Sequence, residues 1–152
     1  MHLFETHVPV KNTETARSFY QEIVGLEFAH RDPVRDIVFL WIGSDRRSMV
    51  GLWGPDTHYG VPRKCHFAIA VSLPQLVSTC GRLNDLGIHT RNFFGDQTTE
   101  PSVIGWMPSA QIYFSDPDGH ALEFIAMLDE RPDPDFLGPL STWKQRALVG
   151  PR

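Results

Sequence analysis

The sequence predicts an α+β fold built from two copies of a strand–helix–strand–strand–strand unit. Three observations predict it. Residues 12–24 and 72–86 carry the apolar spacing of amphipathic helices. Each is preceded by one strand-like segment and followed by three. Both halves share one punctuation, His7 … Gly25-Leu26 and then His66 … Gly87-Ile88. Identity between the halves is weak, so the repeat rests on order rather than on matching residues.

In chain order, residues 2–10 alternate apolar and polar and read as the first strand. The first helix follows, with Ala16, Phe19, Tyr20 and Ile23 on one face, Asn12 as its cap and Gly25 as its stop. Residues 26–31, 35–42 and 47–53 are the next three strands. In the second half, residues 64–71 lead into a helix that opens on Ser72-Leu73-Pro74-Gln75, a capping box with Pro in the first turn. Its apolar face is Leu73, Leu76, Val77, Cys80 and Leu83, and Gly87 ends it. Strands are expected at 88–93, 110–115 and 120–128. Residues 95–108 are a polar, Gly/Pro-containing insertion that carries Trp106 and Met107. The tail from Asp129 is charged and Pro-rich, and reads as a loop. Phe136, Leu137, Leu140, Trp143 and Leu148 predict that it docks again, with a short helix near 141–148.

Composition narrows the function classes. The chain has 152 residues and a formal charge of −4, from 14 basic and 18 acidic side chains. That is not the basic excess of a nucleic-acid binder. No apolar run approaches the roughly 20 residues that span a bilayer, and the N-terminus lacks a signal-peptide pattern. Cys65 and Cys80 are too few for a disulfide scaffold. A cytoplasmic protein is expected, with no nucleic-acid or membrane partner.

Strand alternation then isolates three residues. On the first strand Phe4, Thr6, Val8 and Val10 share one face, and Glu5, His7 and Pro9 the other. On the fifth, His66 shares a face with Lys64, Ala68 and Ala70. On the last, Glu123 lies between Ala121 and Ile125 on a strand that reads as buried on both faces. A carboxylate there costs several kcal/mol unless it is paired or bound to a cation. Two readings stand. His7 and His66 are hydrogen-bonded strand residues and Glu123 pairs with Arg35, Arg47 or Lys64. Alternatively, the three form a facial two-His, one-carboxylate set for a divalent metal.

The repeat and these residues together resemble the vicinal oxygen chelate superfamily of glyoxalase I, extradiol dioxygenases, fosfomycin-modifying enzymes and bleomycin-binding proteins. The segments that carry the resemblance are His7-Val8-Pro9-Val10, Ala16-Arg17-Ser18-Phe19-Tyr20, Val24-Gly25-Leu26-Glu27, His66-Phe67-Ala68-Ile69, and Tyr113-Phe114-Ser115-Asp116-Pro117-Asp118-Gly119-His120-Ala121-Leu122-Glu123-Phe124. It implies two βαβββ modules forming a partly open mixed β-barrel. One domain over 1–128 would comprise module one (2–54) and module two (63–128), with 129–152 as a tail. It also implies His7, His66 and Glu123 as metal ligands, with Fe²⁺ placed before Zn²⁺, Mn²⁺ or Ni²⁺. Tyr113 matches a tyrosine that many relatives point at substrate.

Gly51 stands where glyoxalase I usually has a further carboxylate, and Pro9 where fosfomycin enzymes usually have a threonine. The first departure puts glyoxalase I activity in doubt, and the second weakens the fosfomycin reading. Parity places Phe39, Trp41, Met49 and Trp53 on the substrate side, with room left at Gly51. Trp106 is expected to close over the opening, and His30 or His58-Tyr59 to reach it from loops. The implied activity is metal-dependent and acts on a small aromatic or vicinal-oxygen substrate. Dioxygenase chemistry comes first, then a glyoxalase-like lyase or thiol transferase, then a non-catalytic drug- or toxin-binding role. A module of about 60 residues is marginal alone, so the modules must pair, within one chain or between two, and a homodimer is expected.

Overall fold

The alternation that predicts a first strand is realised as β1 (Glu5–Pro9) in a computed structural model that describes residues 2–57 and 63–149. His58 and Tyr59 lie outside the described residues. The chain divides into two units, Met1–Cys65 with Ser115–His120, and His66–Phe114 with Ala121–Arg152.

In unit one, β1 is followed by α1 (Thr13–Phe19), β2 (Glu27–Asp32), β3 (Ile37–Ile42) and β4 (Ser48–Trp53). The strands form one sheet in the order β1-β4-β3-β2, with β1 parallel to β4 and the other neighbours antiparallel. The Asn12 side chain accepts from the Thr15 N–H at 2.8 Å, so the predicted cap is made. The predicted single helix changes character at Tyr20. Residues Tyr20–Val24 form a π-helical turn, which Gly25 ends at φ +87°. Tyr20 is fully buried there, and the Leu26 N–H bonds back to its carbonyl at 2.9 Å. Val8, Val10, Val38, Leu40, Val50 and Leu52 are fully buried on one face of the sheet. Each such side chain contributes roughly 1.5–3 kcal/mol through burial. The opposite face, which carries His7, is left for other work.

Unit two contains β5 (His66–Ala70), α2 (Leu73–Asp85), β6 (Ser102–Ile104), β7 (Ser109–Ser115), β8 (Ala121–Met127), β9 (Leu137–Pro139) and α3 (Leu140–Val149). Its sheet runs β5-β8-β7-β6-β9, with β5 parallel to β8. The capping box at Ser72 and Gln75 forms in both directions. Leu76, Cys80 and Leu83 of α2 are buried, as are Ile69, Ile112, Phe114, Leu122 and Phe124 of the sheet. Neither sheet closes on itself, in keeping with an α+β fold of two repeated modules.

Two expectations need correction here. Residues 88–93 are not a strand. Asn84 donates to the Thr90 hydroxyl at 2.7 Å and accepts from the Thr90 N–H at 3.2 Å, while Thr90 donates to the Thr98 carbonyl at 2.6 Å. These bonds fold the segment into a loop, from which only Arg91 bridges to Tyr113. The sheet edge beside β7 is taken instead by β6, from the stretch read as an insertion, and beyond it by β9 from the tail. Each is too short to show periodicity, and β9 contains Gly138 and Pro139, which read as breakers.

The tail does dock. Phe136, Leu140 and Trp143 are buried, with the Phe136 and Trp143 rings 4.9 Å apart, whereas Leu137 is partly exposed. The side chain of Leu148 lies outside those described. Gly105 makes this seat possible, since a Cβ there would press on the Asp133 carbonyl and on Phe136.

Candidate metal centre and aromatic face

Unit two brings three of the expected residues together. His66 opens β5 and Glu123 sits in β8, two residues past the Ala121 that pairs with His66, so both project on the face away from α2. Glu123 is buried, while the His66 side chain is half exposed. His66 Nδ1 lies 3.1 Å from the Ala121 carbonyl, and Nε2 lies 3.2 Å from Glu123 Oε2. A carbonyl only accepts, so Nδ1 must carry the proton that it donates. In a neutral imidazole Nε2 is then a bare lone pair facing a carboxylate oxygen. Two acceptors at that distance require a cation between them, either a proton or a metal.

A metal fits the spacing. Two donors each about 2.0–2.2 Å from one ion and at right angles stand about 3 Å apart. The Nδ1–H to backbone carbonyl bond is also the type that fixes the ring of a metal-binding histidine.

The electrostatics agree. Burial raises the Glu123 carboxyl above its ordinary range, and the neighbouring His66 and the Tyr113 hydroxyl partly offset this. Tyr113 donates its hydroxyl proton to Glu123. Burial, and then the Glu123 charge, push the phenol up to about 12. It is therefore protonated near neutrality and able to donate, with its ring 6.1 Å from that of His66. Two residues along the same strand face, Gln111 is fully buried and its amide nitrogen has no partner among the described residues.

Unit one carries the aromatic face. His7 lies on the exposed side of β1, its ring centroid 5.0 Å from that of Trp53. Its Nε2 meets Glu5 Oε1, from two residues earlier on the same side of the strand. Across the register, His7 pairs with Gly51, Phe39 with Gly51, and Trp41 with Met49. Phe39, Trp41 and Met49 are half-buried, Trp53 is buried, and His30 of β2 stacks on Phe39 with centroids 6.4 Å apart. The room expected at Gly51 is not there. A Cβ at that position would stand 3.0 Å from His7, 3.1 Å from Trp53 and 3.2 Å from Phe39, because the three rings have already closed over the glycine. Gly51→Ala is accordingly expected to cost about 1–3 kcal/mol, read by chemical denaturation. Trp106 is 62% exposed in the turn between β6 and β7 of unit two.

Among the described residues, no group of three or more His, Cys, Asp or Glu side chains stands together as a metal site. Each unit by itself shows one His–carboxylate pair.

Sequence reasoning missed two features. Glu5 was placed on the His7 face but given no role, although the i, i+2 spacing on a strand was visible. The second is a polar knot in unit one. Asp116 accepts from Tyr20 Oη at 3.1 Å, from the Asp118 N–H at 3.0 Å and from the His120 N–H at 2.9 Å. His120 Nδ1 accepts from the Cys65 N–H at 3.1 Å, so its Nε2 donates to the Pro9 carbonyl at 2.8 Å. The Asp116-Pro117-Asp118-Gly119 turn signal was legible, but its distant partners were not. Burial, and then the charge of Asp116, raise the Cys65 thiol, so it is not an activated nucleophile.

The sequence matches the Glyoxalase/Bleomycin resistance protein/Dioxygenase superfamily over residues 2–124. The chain belongs to this superfamily. Among solved structures it is similar to integron cassette protein HFX_CASS4 from the mobile metagenome of the Halifax Harbour sewage outfall. That likeness has 34% identity and a TM-score of 0.69, and covers 83% of this chain and 98% of the other. The lactoylglutathione lyase of Agrobacterium tumefaciens shares the fold at 21% identity and a TM-score of 0.64, covering 82% and 92%. So does TnmS3, an antibiotic-binding protein from Streptomyces sp. CB03234, at 21% and 0.63, covering 84% and 97%. No curated protein sequence matches. The superfamily thus joins lyases, oxygenases and ligand-binding proteins on one scaffold, and no helix among the described residues is long and apolar enough to cross a membrane.

Proposed function

We propose that the protein is a cytoplasmic, divalent-metal-dependent enzyme of the glyoxalase/dioxygenase superfamily, with His7, His66 and Glu123 as its protein ligands. The active species is a homodimer. The observation that carries this reading is His66. Its Nδ1–H is committed to the Ala121 carbonyl, and its Nε2 faces the buried Glu123 carboxylate. Imidazole and carboxylate suit Fe²⁺, which we place first, as well as Zn²⁺, Mn²⁺ and Ni²⁺. When bound, such an ion would act as a Lewis acid toward vicinal oxygens of the substrate.

The chain's own residues supply the rest. Phe39, Trp41, Met49 and Trp53 offer an apolar, aromatic wall, which favours a flat aromatic substrate bearing polar groups at one edge. Tyr113, protonated near neutrality, orients Glu123 and donates a proton or hydrogen bond to substrate oxygen. Trp106, as an exposed aromatic on a turn, adds a further contact once substrate is bound. Dioxygenase chemistry on a catechol-type substrate is the leading assignment, ahead of a lyase or thiol-transferase reaction.

The test is anaerobic loading with Fe²⁺ followed by oxygen uptake against a panel of catechols. Uptake with at least one catechol is expected. The Tyr113→Phe variant is expected to keep its metal and to lose turnover by roughly 10²-fold or more. Absence of uptake with every catechol, together with turnover of a hemithioacetal or formation of thiol adducts, overturns the dioxygenase assignment in favour of lyase or transferase chemistry.

A further inference from the structure

Gln111 has no role in the reading above. Parity on β7 puts Ser109, Gln111 and Tyr113 on one side of the strand, and the buried Ala110, Ile112 and Phe114 on the other. Ser109 and Gln111 are fully buried, whereas Tyr113 is half-buried. The Tyr113 side of the strand is therefore open at Tyr113 and closed at Gln111. The Ser109 hydroxyl donates to Gln111 Oε1 at 3.3 Å, which fixes the amide by its oxygen. Nε2 carries two N–H donors and meets no acceptor among the described residues. Buried amides are almost always paired, because an orphaned donor gives up its bonds to water and gains nothing in exchange. Methionine or leucine would fill the same space without that cost. An amide here is rewarded only by an acceptor that arrives with a bound molecule.

We infer that Gln111 is a specificity-determining residue whose Nε2 donates to a neutral carbonyl oxygen of the substrate. This rests on the proposed function, which seats that substrate against Tyr113. Residues two apart on a strand stand roughly 7 Å apart, so the carbonyl lies about that far from the oxygen that meets Tyr113. An aromatic ring with vicinal oxygens at one edge and an acyl group at the opposite edge spans this separation. A carbonyl suits the place better than a carboxylate does. The amide is neutral, and a carboxylate buried against it would exchange its whole hydration shell for one donor group.

The experiment is isothermal titration of the Zn²⁺-loaded full-length protein with two ligands, a catechol bearing a ring acetyl group and its isopropyl analogue. The two match in shape and differ in the carbonyl. Wild type, Gln111→Met and Gln111→Leu are compared, with thermal midpoints as the folding control. The wild type is expected to bind the acetyl ligand on the order of tenfold more tightly, the scale of one hydrogen bond. Both variants are expected to fold and to bind the two ligands equally. Equal affinities in the wild type overturn the inference. So does a preference that survives in either variant, which would trace it to the catechol itself. An equal loss for both ligands in the variants overturns it as well, since it marks a structural role. In each of these cases binding of both catechols by the wild type leaves the proposed function standing. If the wild type binds neither, the aromatic vicinal-oxygen substrate and the inference fall together.

Discussion

Glu123→Gln is expected to weaken divalent-metal binding by roughly 10²-fold or more, the scale set by losing a donor at such sites, and to abolish turnover with it. The substitution keeps the shape of the side chain and removes only its charge. Glutamine can still accept the Tyr113 hydroxyl, so the apolar packing of Phe124 and Leu122 on the other side of β8 is undisturbed.

The same residue fixes a pH dependence. Burial raises the Glu123 carboxyl, so the metal-free folded protein holds that proton more tightly than the unfolded chain does. The sign follows from linkage. The stability gained from this proton is present at low pH and is lost as pH rises through the folded-state value. Metal must displace the proton, so wild-type affinity climbs with pH across the titration of Glu123 and levels above it. In Glu123→Gln that component of the slope is absent. Isothermal titration at a series of pH values measures both effects.

Asp116→Ala carries the second large effect, on stability rather than chemistry. Its carboxylate is buried, and it satisfies the Tyr20 hydroxyl and two backbone N–H groups at once. Truncation strands these donors where water does not reach, the Tyr20 hydroxyl being fully buried. A buried donor left unpaired costs about 1–3 kcal/mol, so a total loss of roughly 3–5 kcal/mol is expected. In a chain of this length each kcal/mol lowers the melting midpoint by about 2–4 °C. Calorimetry of Asp116→Ala measures the loss. Asp116→Asn, which keeps both oxygen-side and steric features in part, is expected to recover a portion of it. The knot ends at His120, immediately before β8 begins at Ala121.

The repeat, both long helices and the faces of seven strands were legible because each rests on a local rule. Helical spacing places Leu76, Cys80 and Leu83, and strand parity separates His7 from Val8 and Glu123 from Leu122. Residues 88–93 misled for a physical reason: they are apolar enough for a strand, but Asn84 and Thr90 tie the backbone elsewhere, and side-chain bonds across six residues leave no periodic trace. β6 and β9 were hidden by their three-residue length and, in β9, by Gly138 and Pro139. At the candidate site, alternation singled out His7, His66 and Glu123, and the family resemblance added Tyr113. Neither revealed that the Tyr113 hydroxyl rests on Glu123, or that Glu5 reaches His7. The room inferred at Gly51 failed because a missing side chain says nothing about which neighbours lean into its place, and here three rings do.

The proposed enzyme depends on a divalent metal held through His66 and Glu123. Metal analysis of purified protein tests it most directly, after anaerobic Fe²⁺ loading and removal of excess ion, with His66→Ala and Glu123→Ala alongside and circular dichroism confirming that all three are folded. Close to one metal ion per chain is expected in the wild type and negligible metal in both variants. Equal metal content in all three proteins, whether high or negligible, would contradict it.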